Sequence, residues 1–115
     1  LSDGTELVFN QGTNTNAPKF YSAVGGCVRM YPGNTMTVKS SKTIKQIVIG
    51  CGTGTQGLGN ASGDVAANPG KVAVADTYLN ITGINSKETV ISDVSKVTGI
   101  ASQLYIKTLT FVYAE

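Results

Sequence analysis

Apolar residues along this chain recur at every second position over short stretches, and no stretch of ten or more residues carries a helical stripe. Two distant segments repeat one pattern, Ile44-Lys45-Gln46-Ile47-Val48-Ile49 and Ile106-Lys107-Thr108-Leu109-Thr110-Phe111. Both are rich in β-branched residues, which fit a pleated, half-buried surface, so they read as two core strands of one β-sandwich. Ile44 and Ile47 lie three apart and cannot share a face of a regular strand; a β-bulge or twist between them restores the alternation, and the same holds for Ile106 and Leu109.

The remaining strands follow from alternation and turn residues. Glu6 to Asn10 opens the chain's strand series, and Gln11 to Pro18 is a polar loop of turn formers. Lys19 to Ser22 reads as a short edge strand. Cys27 to Tyr31 places Val28 and Met30 on one face and Arg29 and Tyr31 on the other. Pro32-Gly33-Asn34 makes a tight turn, and Thr35 to Lys39 alternates with Met36 and Val38 inward. Ser40-Ser41-Lys42 reads as a turn into a strand from Thr43 to Cys51. The Gly/Asn/Ala-rich stretch from Gly52 to Gly70 is a long loop with at most one short strand, and loops of that length are often functional. Lys71 to Ala75 and Tyr78 to Thr82 are strands broken near Asp76-Thr77, and Gly83 to Lys87 turns. Glu88 to Val94 is a strand, Ser95 to Ser102 a loop, and Gln103 to Tyr113 the longest strand. About eight or nine short strands with turns every 8–12 residues form the signature of an all-β, antiparallel β-sandwich.

At 115 residues the chain is one domain, 1–115. Nine Lys and Arg stand against seven Asp and Glu, with Arg29 the only arginine, so no basic stripe exists to neutralise phosphates and nucleic acid is excluded as a partner. No run approaches the ~20 apolar residues of a membrane helix, so no membrane insertion is expected. The chain begins at Leu1 without a Met, which fits a mature secreted protein or a domain cut from a larger multidomain one. Fourteen glycines, abundant Thr, Ser and Asn, and low charge point the same way, to a secreted or cell-surface setting.

Cys27 and Cys51 are the only cysteines. They would allow one disulfide closing a loop of roughly 25 residues, worth about 3 kcal/mol in the chain-entropy model. Equally, Cys51 continues the alternation of Ile47 and Ile49 and would serve as a small core residue.

Histidine is absent, which removes Ser-His-Asp triads, His-based zinc sites and His general bases. A two-carboxylate glycosidase would need a pair among Asp3, Glu6, Asp64, Asp76, Glu88, Asp93 and Glu115, which are scattered and not flanked by sugar-binding aromatics. The glycines around Cys51 follow a strand without the Lys-Thr of a phosphate loop. Enzymatic activity is not expected. A binding site has better material: Tyr21, Arg29 and Tyr31, with Asn14 and Asn16 in the adjoining loop, combine flat aromatic faces with amide and charged groups for sugar oxygens. The competing reading makes Tyr21 and Tyr31 covers of sheet edges, Arg29 a surface pair and the two asparagines turn formers. Tyr105 and Tyr113 read as packing residues with hydroxyls at the surface.

The segments Asn16 to Tyr21, Val28 to Val38 and Ser102 to Tyr113 resemble a recurrent jelly-roll module of secreted or surface-anchored proteins of gut anaerobic bacteria, often attached to glycan-processing or adhesive proteins. The likeness spans most of the chain in the same order. It implies a galactose-binding-like sandwich, and the module's Trp-Thr-Gly-type segment is missing here, since the chain has no Trp. Modules of the kind it resembles often hold a structural calcium, to which Asp3, Asn60, Asp64 or Asp76 would supply oxygens; no Asp-x-Asp-x-Asp run supports it, sodium or no ion fits as well, and no cofactor is expected. The expected function is a non-catalytic, carbohydrate-binding-like module whose partner is a glycan. The alternative is a structural or adhesive module that spaces domains or contacts a surface protein without a sugar site.

Overall fold

A computed structural model describes residues 1–22, 26–51, 64–96, 99 and 102–115. The fold is all-β and antiparallel, with ten strands among the described residues: β1 (Glu6–Asn10), β2 (Lys19–Tyr21), β3 (Cys27–Met30), β4 (Thr35–Gly50), β5 (Val65–Asn68), β6 (Lys71–Ala75), β7 (Tyr78–Thr82), β8 (Ser86–Asp93), β9 (Leu104–Ile106) and β10 (Thr108–Tyr113). Seven of them make one sheet, and β2, β3 and β9 make a second, smaller one in the order β2-β3-β9.

The 16-residue β4 is the spine of the large sheet. Its first half pairs with β1 and β8, its second with β10 and β7. Thus β1 and β10 lie end to end along one edge of β4, and β8 and β7 along the other. β5 and β6 then extend the sheet beyond β8 and β7. The two segments with the repeated pattern become direct neighbours, with Leu109 opposite Ile49 and Phe111 opposite Ile47.

Two expectations are corrected here. Ser40-Ser41-Lys42 does not reverse the chain: the Lys42 N–H bonds the Ser40 Oγ at 3.1 Å, while the strand runs on. Four residues, Ser40 to Thr43, face Lys87 alone, so the local turn chemistry is spent on a bulge that bends the strand rather than on a hairpin. Nor is Gln103 to Tyr113 one strand. Leu104–Ile106 belongs to the small sheet and Thr108–Tyr113 to the large one, with the Lys107 N–H bonded to the Gly50 carbonyl at the crossing. Ile106 and Leu109 therefore reach one core by a change of sheet, where a bulge was expected. Between Ile44 and Ile47 the register does shift, Lys45 being the extra residue opposite the Val112-Tyr113 step, and both isoleucines are fully buried.

The core lies between the two sheets. Met36, Val38, Ile44, Ile47, Ile49, Leu79, Ile81 and Ile91 come from the large sheet, and Met30, Leu104 and Ile106 from the small one. Cys51 belongs to this cluster, and Cys27 is buried as well; both thiols are free. Burial pushes the Cys51 thiol up to about 12. Leu58 and most of the stretch from Gly52 onward lie outside the described residues, with β5 the short strand at its far end.

The two ends of the chain meet at Tyr113. Its hydroxyl donates to the Asp3 Oδ2 at 2.7 Å and also bonds the Thr5 hydroxyl, and the Thr5 N–H donates to the Asp3 Oδ1 at 2.9 Å. These bonds, the one from Tyr113 first, lower the Asp3 carboxyl from 3.8 to about 2. A carboxyl whose folded value lies below its unfolded one favours the folded form above about 3.8, and that contribution is lost as pH falls toward about 2. A carboxyl-carbon NMR titration should place the Asp3 midpoint near 2 and return it toward 3.8 in Tyr113→Phe. An unperturbed midpoint in the parent protein would show that the contact does not form.

Candidate functional site

Sequence alternation on β3 sends Met30 into the core and Arg29 to the opposite face of the small sheet. Register then decides its neighbours: Arg29 is opposite Lys19 of β2 on one side and Tyr105 of β9 on the other. The guanidinium lies over the Tyr21 ring, 3.9 Å from its centroid, and over the Tyr105 ring at 4.8 Å. The Lys19 ammonium sits 5.6 Å from the Tyr21 centroid. Stacking of this kind contributes about 0.5–2 kcal/mol per pair, more as water is excluded. The Tyr21 and Tyr31 hydroxyls are 2.9 Å apart.

Electrostatics fix the protonation of this cluster. Burial pulls the Arg29 pKa down, but the influence of Tyr31, with that of Tyr105 and Tyr21, outweighs it and holds the guanidinium above its ordinary value. Tyr31 is raised by burial and by its bond to Tyr21, and Tyr105 is raised mainly by burial. All three are therefore in their ordinary forms at neutral pH: a cation and two neutral hydroxyls.

Beside the cluster opens a cleft of about 440 Å³, lined by Asn14, Asn16 and Tyr31 together with Pro32, Lys96 and Gln103, and by Ser95, Gly99 and Ser102. Its wall is built around Asn34, a fully buried asparagine. The Asn34 Oδ1 accepts from the Tyr31 N–H at 2.8 Å, and its Nδ2 donates to the Gln11 carbonyl at 2.8 Å and the Asn16 carbonyl at 2.9 Å. The Asn14 side chain adds a bond from Nδ2 to the Pro32 carbonyl and accepts the Asn16 N–H, both at 2.8 Å. Gly12 and Gly33, with φ of 61° and 90°, allow the loop and the turn to touch: a Cβ on Gly12 would fall on the Gly33 carbonyl oxygen. The end of β8 secures the turn from below through Gly33 N–H to Asp93 carbonyl, 2.8 Å, and Asp93 N–H to Asn34 carbonyl, 3.1 Å.

Of the five residues expected from sequence, Asn14, Asn16 and Tyr31 line the cleft, and Tyr21 and Arg29 stand behind Tyr31. Arg29 is not the surface ion pair of the competing reading, since no carboxylate pairs with it among the described residues. Asn14 is a turn former too, and lines the cleft while being one. Tyr105 departs from expectation: it is wholly buried, its hydroxyl donates to the Gln103 Oε1 at 2.9 Å, and it forms one side of the arginine's aromatic clamp. Asn34, Lys96 and Gln103 were not singled out. A signal for Tyr105 exists in the alternation Gln103, Leu104, Tyr105, Ile106, which puts Gln103 and Tyr105 together on the face away from the core.

Among the described residues no three His, Cys, Asp or Glu converge, so Asp3, Asp64 and Asp76 form no joint cation site, and Asn60 lies outside them. A scan against protein-family models, a search of curated proteins and a search of solved structures return no match to this chain.

Proposed function

We propose that this is a non-catalytic carbohydrate-binding module of a secreted or cell-surface protein, a jelly-roll domain that holds a larger protein or a cell near a glycan. The observation that carries this reading is the cleft at Tyr31, where an aromatic residue and three amide side chains meet in one rigidly braced concavity. Its volume lies in the ~300–1,000 Å³ range of small-molecule sites. Sugars present an apolar C–H face and a rim of hydroxyls, which an aromatic ring and amides match together. No carboxylate lines the cleft, and the described walls thus hold none of the paired acids of glycoside hydrolysis. The bracing by Asn34 and Asn14 means that little ordering entropy is lost when a ligand enters.

A glycan-array screen with Tyr21→Ala, Arg29→Ala and Tyr31→Ala alongside the parent tests this. The expected result is binding to a defined glycan set, abolished by Tyr31→Ala and weakened by the other two, with circular dichroism unchanged. Binding to no glycan would favour the second reading, an adhesive or spacing module. One observation supports that alternative: among the described residues β1 and β10 pair with β4 alone, leaving an open sheet edge near the exposed Val8, Phe9 and Val112.

A further inference from the structure

The chemistry of the cleft's lining is one-sided. Gln103, in the cleft lining, engages its carbonyl oxygen with the Tyr105 hydroxyl, and its NH2 group is the donor end of the same amide. Asn14 spends both ends of its amide on the wall itself. Lys96 brings an exposed ammonium, and no carboxylate answers it in the lining. The Tyr31 hydroxyl lies 2.9 Å from the Tyr21 hydroxyl, whose ring carries the Arg29 guanidinium on its face.

Charge is one-sided in the same place. Lys19 lies opposite Arg29 in the small sheet and Lys96 lines the cleft with Tyr31, whereas the ion pair seen among the described residues, Lys39 with Glu88, lies on the large sheet between β4 and β8. Arg29 is the sharper case. Its Nε is buried with no hydrogen-bond partner, and among the described residues its charge is met by the faces of Tyr21 and Tyr105 and by no carboxylate. A partly buried cation normally finds a carboxylate, because removing it from water is costly. Asp93, whose backbone anchors the Gly33-Asn34 turn, is itself buried, accepts the Ser95 N–H at 3.1 Å and does not line the cleft.

From these two asymmetries we infer that the ligand of the cleft is an anionic saccharide, whose sugar carboxylate binds Lys96 and the Gln103 amide with Arg29 acting behind the Tyr31 hydroxyl. The inference rests on the carbohydrate-binding reading and specifies the ligand within it. The aromatic and amide groups take the ring and its hydroxyls; the carboxylate supplies the counter-charge that the fold withholds.

The test is isothermal titration of the intact protein with a galacturonic acid trisaccharide and its methyl ester, and with sialyllactose and its methyl ester. Each pair holds the sugar scaffold while removing the negative charge. For at least one pair the acid should bind about tenfold tighter than its neutral partner. That advantage should shrink between ~50 and ~500 mM NaCl and fall away in Lys96→Gln, an exposed position whose replacement leaves the fold alone. Equal binding of acid and neutral forms, both lost in Tyr31→Ala, would overturn the anionic inference while the carbohydrate reading stands. An acid preference indifferent to salt and to Lys96→Gln would also overturn it. If these four sugars and every glycan of the array fail to bind, both readings fall together.

Discussion

Replacing Asn34 with alanine is expected to lower the unfolding free energy by about 3–5 kcal/mol. The change removes three hydrogen bonds at once. It strips the Tyr31 N–H of its acceptor and the Gln11 and Asn16 carbonyls of their shared donor, all around a side chain with no exposed surface. Each buried polar group left without a partner costs about 1–3 kcal/mol. The Gln11 and Asn16 carbonyls sit on exposed residues, where water can reach them, so the Tyr31 N–H and the vacated space carry most of the loss. Asn34→Asp separates the terms: it keeps an acceptor for Tyr31 but loses both donors and sets a carboxylate against two carbonyl oxygens, so it should be nearly as damaging. Urea unfolding of the two variants checks both expectations. A loss under about 1 kcal/mol in Asn34→Ala would mean that the loop is not tied to the turn as described.

Ile47→Ala should cost about 3–4 kcal/mol and Ile47→Val about 1 kcal/mol. Ile47 is wholly buried and sits at a crossing of the large sheet, opposite Phe111 of β10 on one side and Ile81 of β7 on the other. Truncation opens a cavity lined by residues that three strands hold in register, and such a site cannot collapse cheaply. Lys45→Ala, at the exposed extra residue of the neighbouring bulge, should change stability by less than about 0.5 kcal/mol. A small effect at Ile47 beside a large one at Lys45 would place the inward face of β4 on the wrong side.

The bulge shows what a single sequence can disclose. Ile44 and Ile47 are incompatible with one face of a regular strand, so two buried isoleucines three apart require an irregularity, and the register shift at Lys45 supplies it. At Ile106 and Leu109 the same spacing is met by a different device. Nothing local distinguishes a chain that bulges within a sheet from one that crosses to another; the distinction rests on β3 and β4, which offer partners on opposite layers. Ser40-Ser41-Lys42 is a parallel case. Its hydroxyl does make the local backbone bond expected of a turn former, but pairing on both edges of β4 carries the strand onward.

The site was legible to the extent that it lies on one strand. Alternation put Arg29 and Tyr31 on the face away from Met30, and the adjoining loop supplied Asn14 and Asn16. Lys96 and Gln103 come from segments more than 60 residues away, and only the pairing of β9 with β3 and the anchoring of the turn by Asp93 bring them in. Asn34 was hidden for another reason. An asparagine after Pro-Gly reads as a turn former whether its amide faces water or is buried, and here it is buried with three partners.

The most direct test of the central claim is a two-dimensional ¹⁵N NMR titration with the best glycan ligand from the array. The account predicts that amide shifts concentrate at Asn14, Asn16, Tyr31, Lys96 and Gln103, with the side-chain NH2 of Gln103 among the most perturbed, while the edge formed by β1 and β10 stays silent. Shifts centred on Val8, Phe9 and Val112 instead, or spread without focus over both sheets, would contradict it.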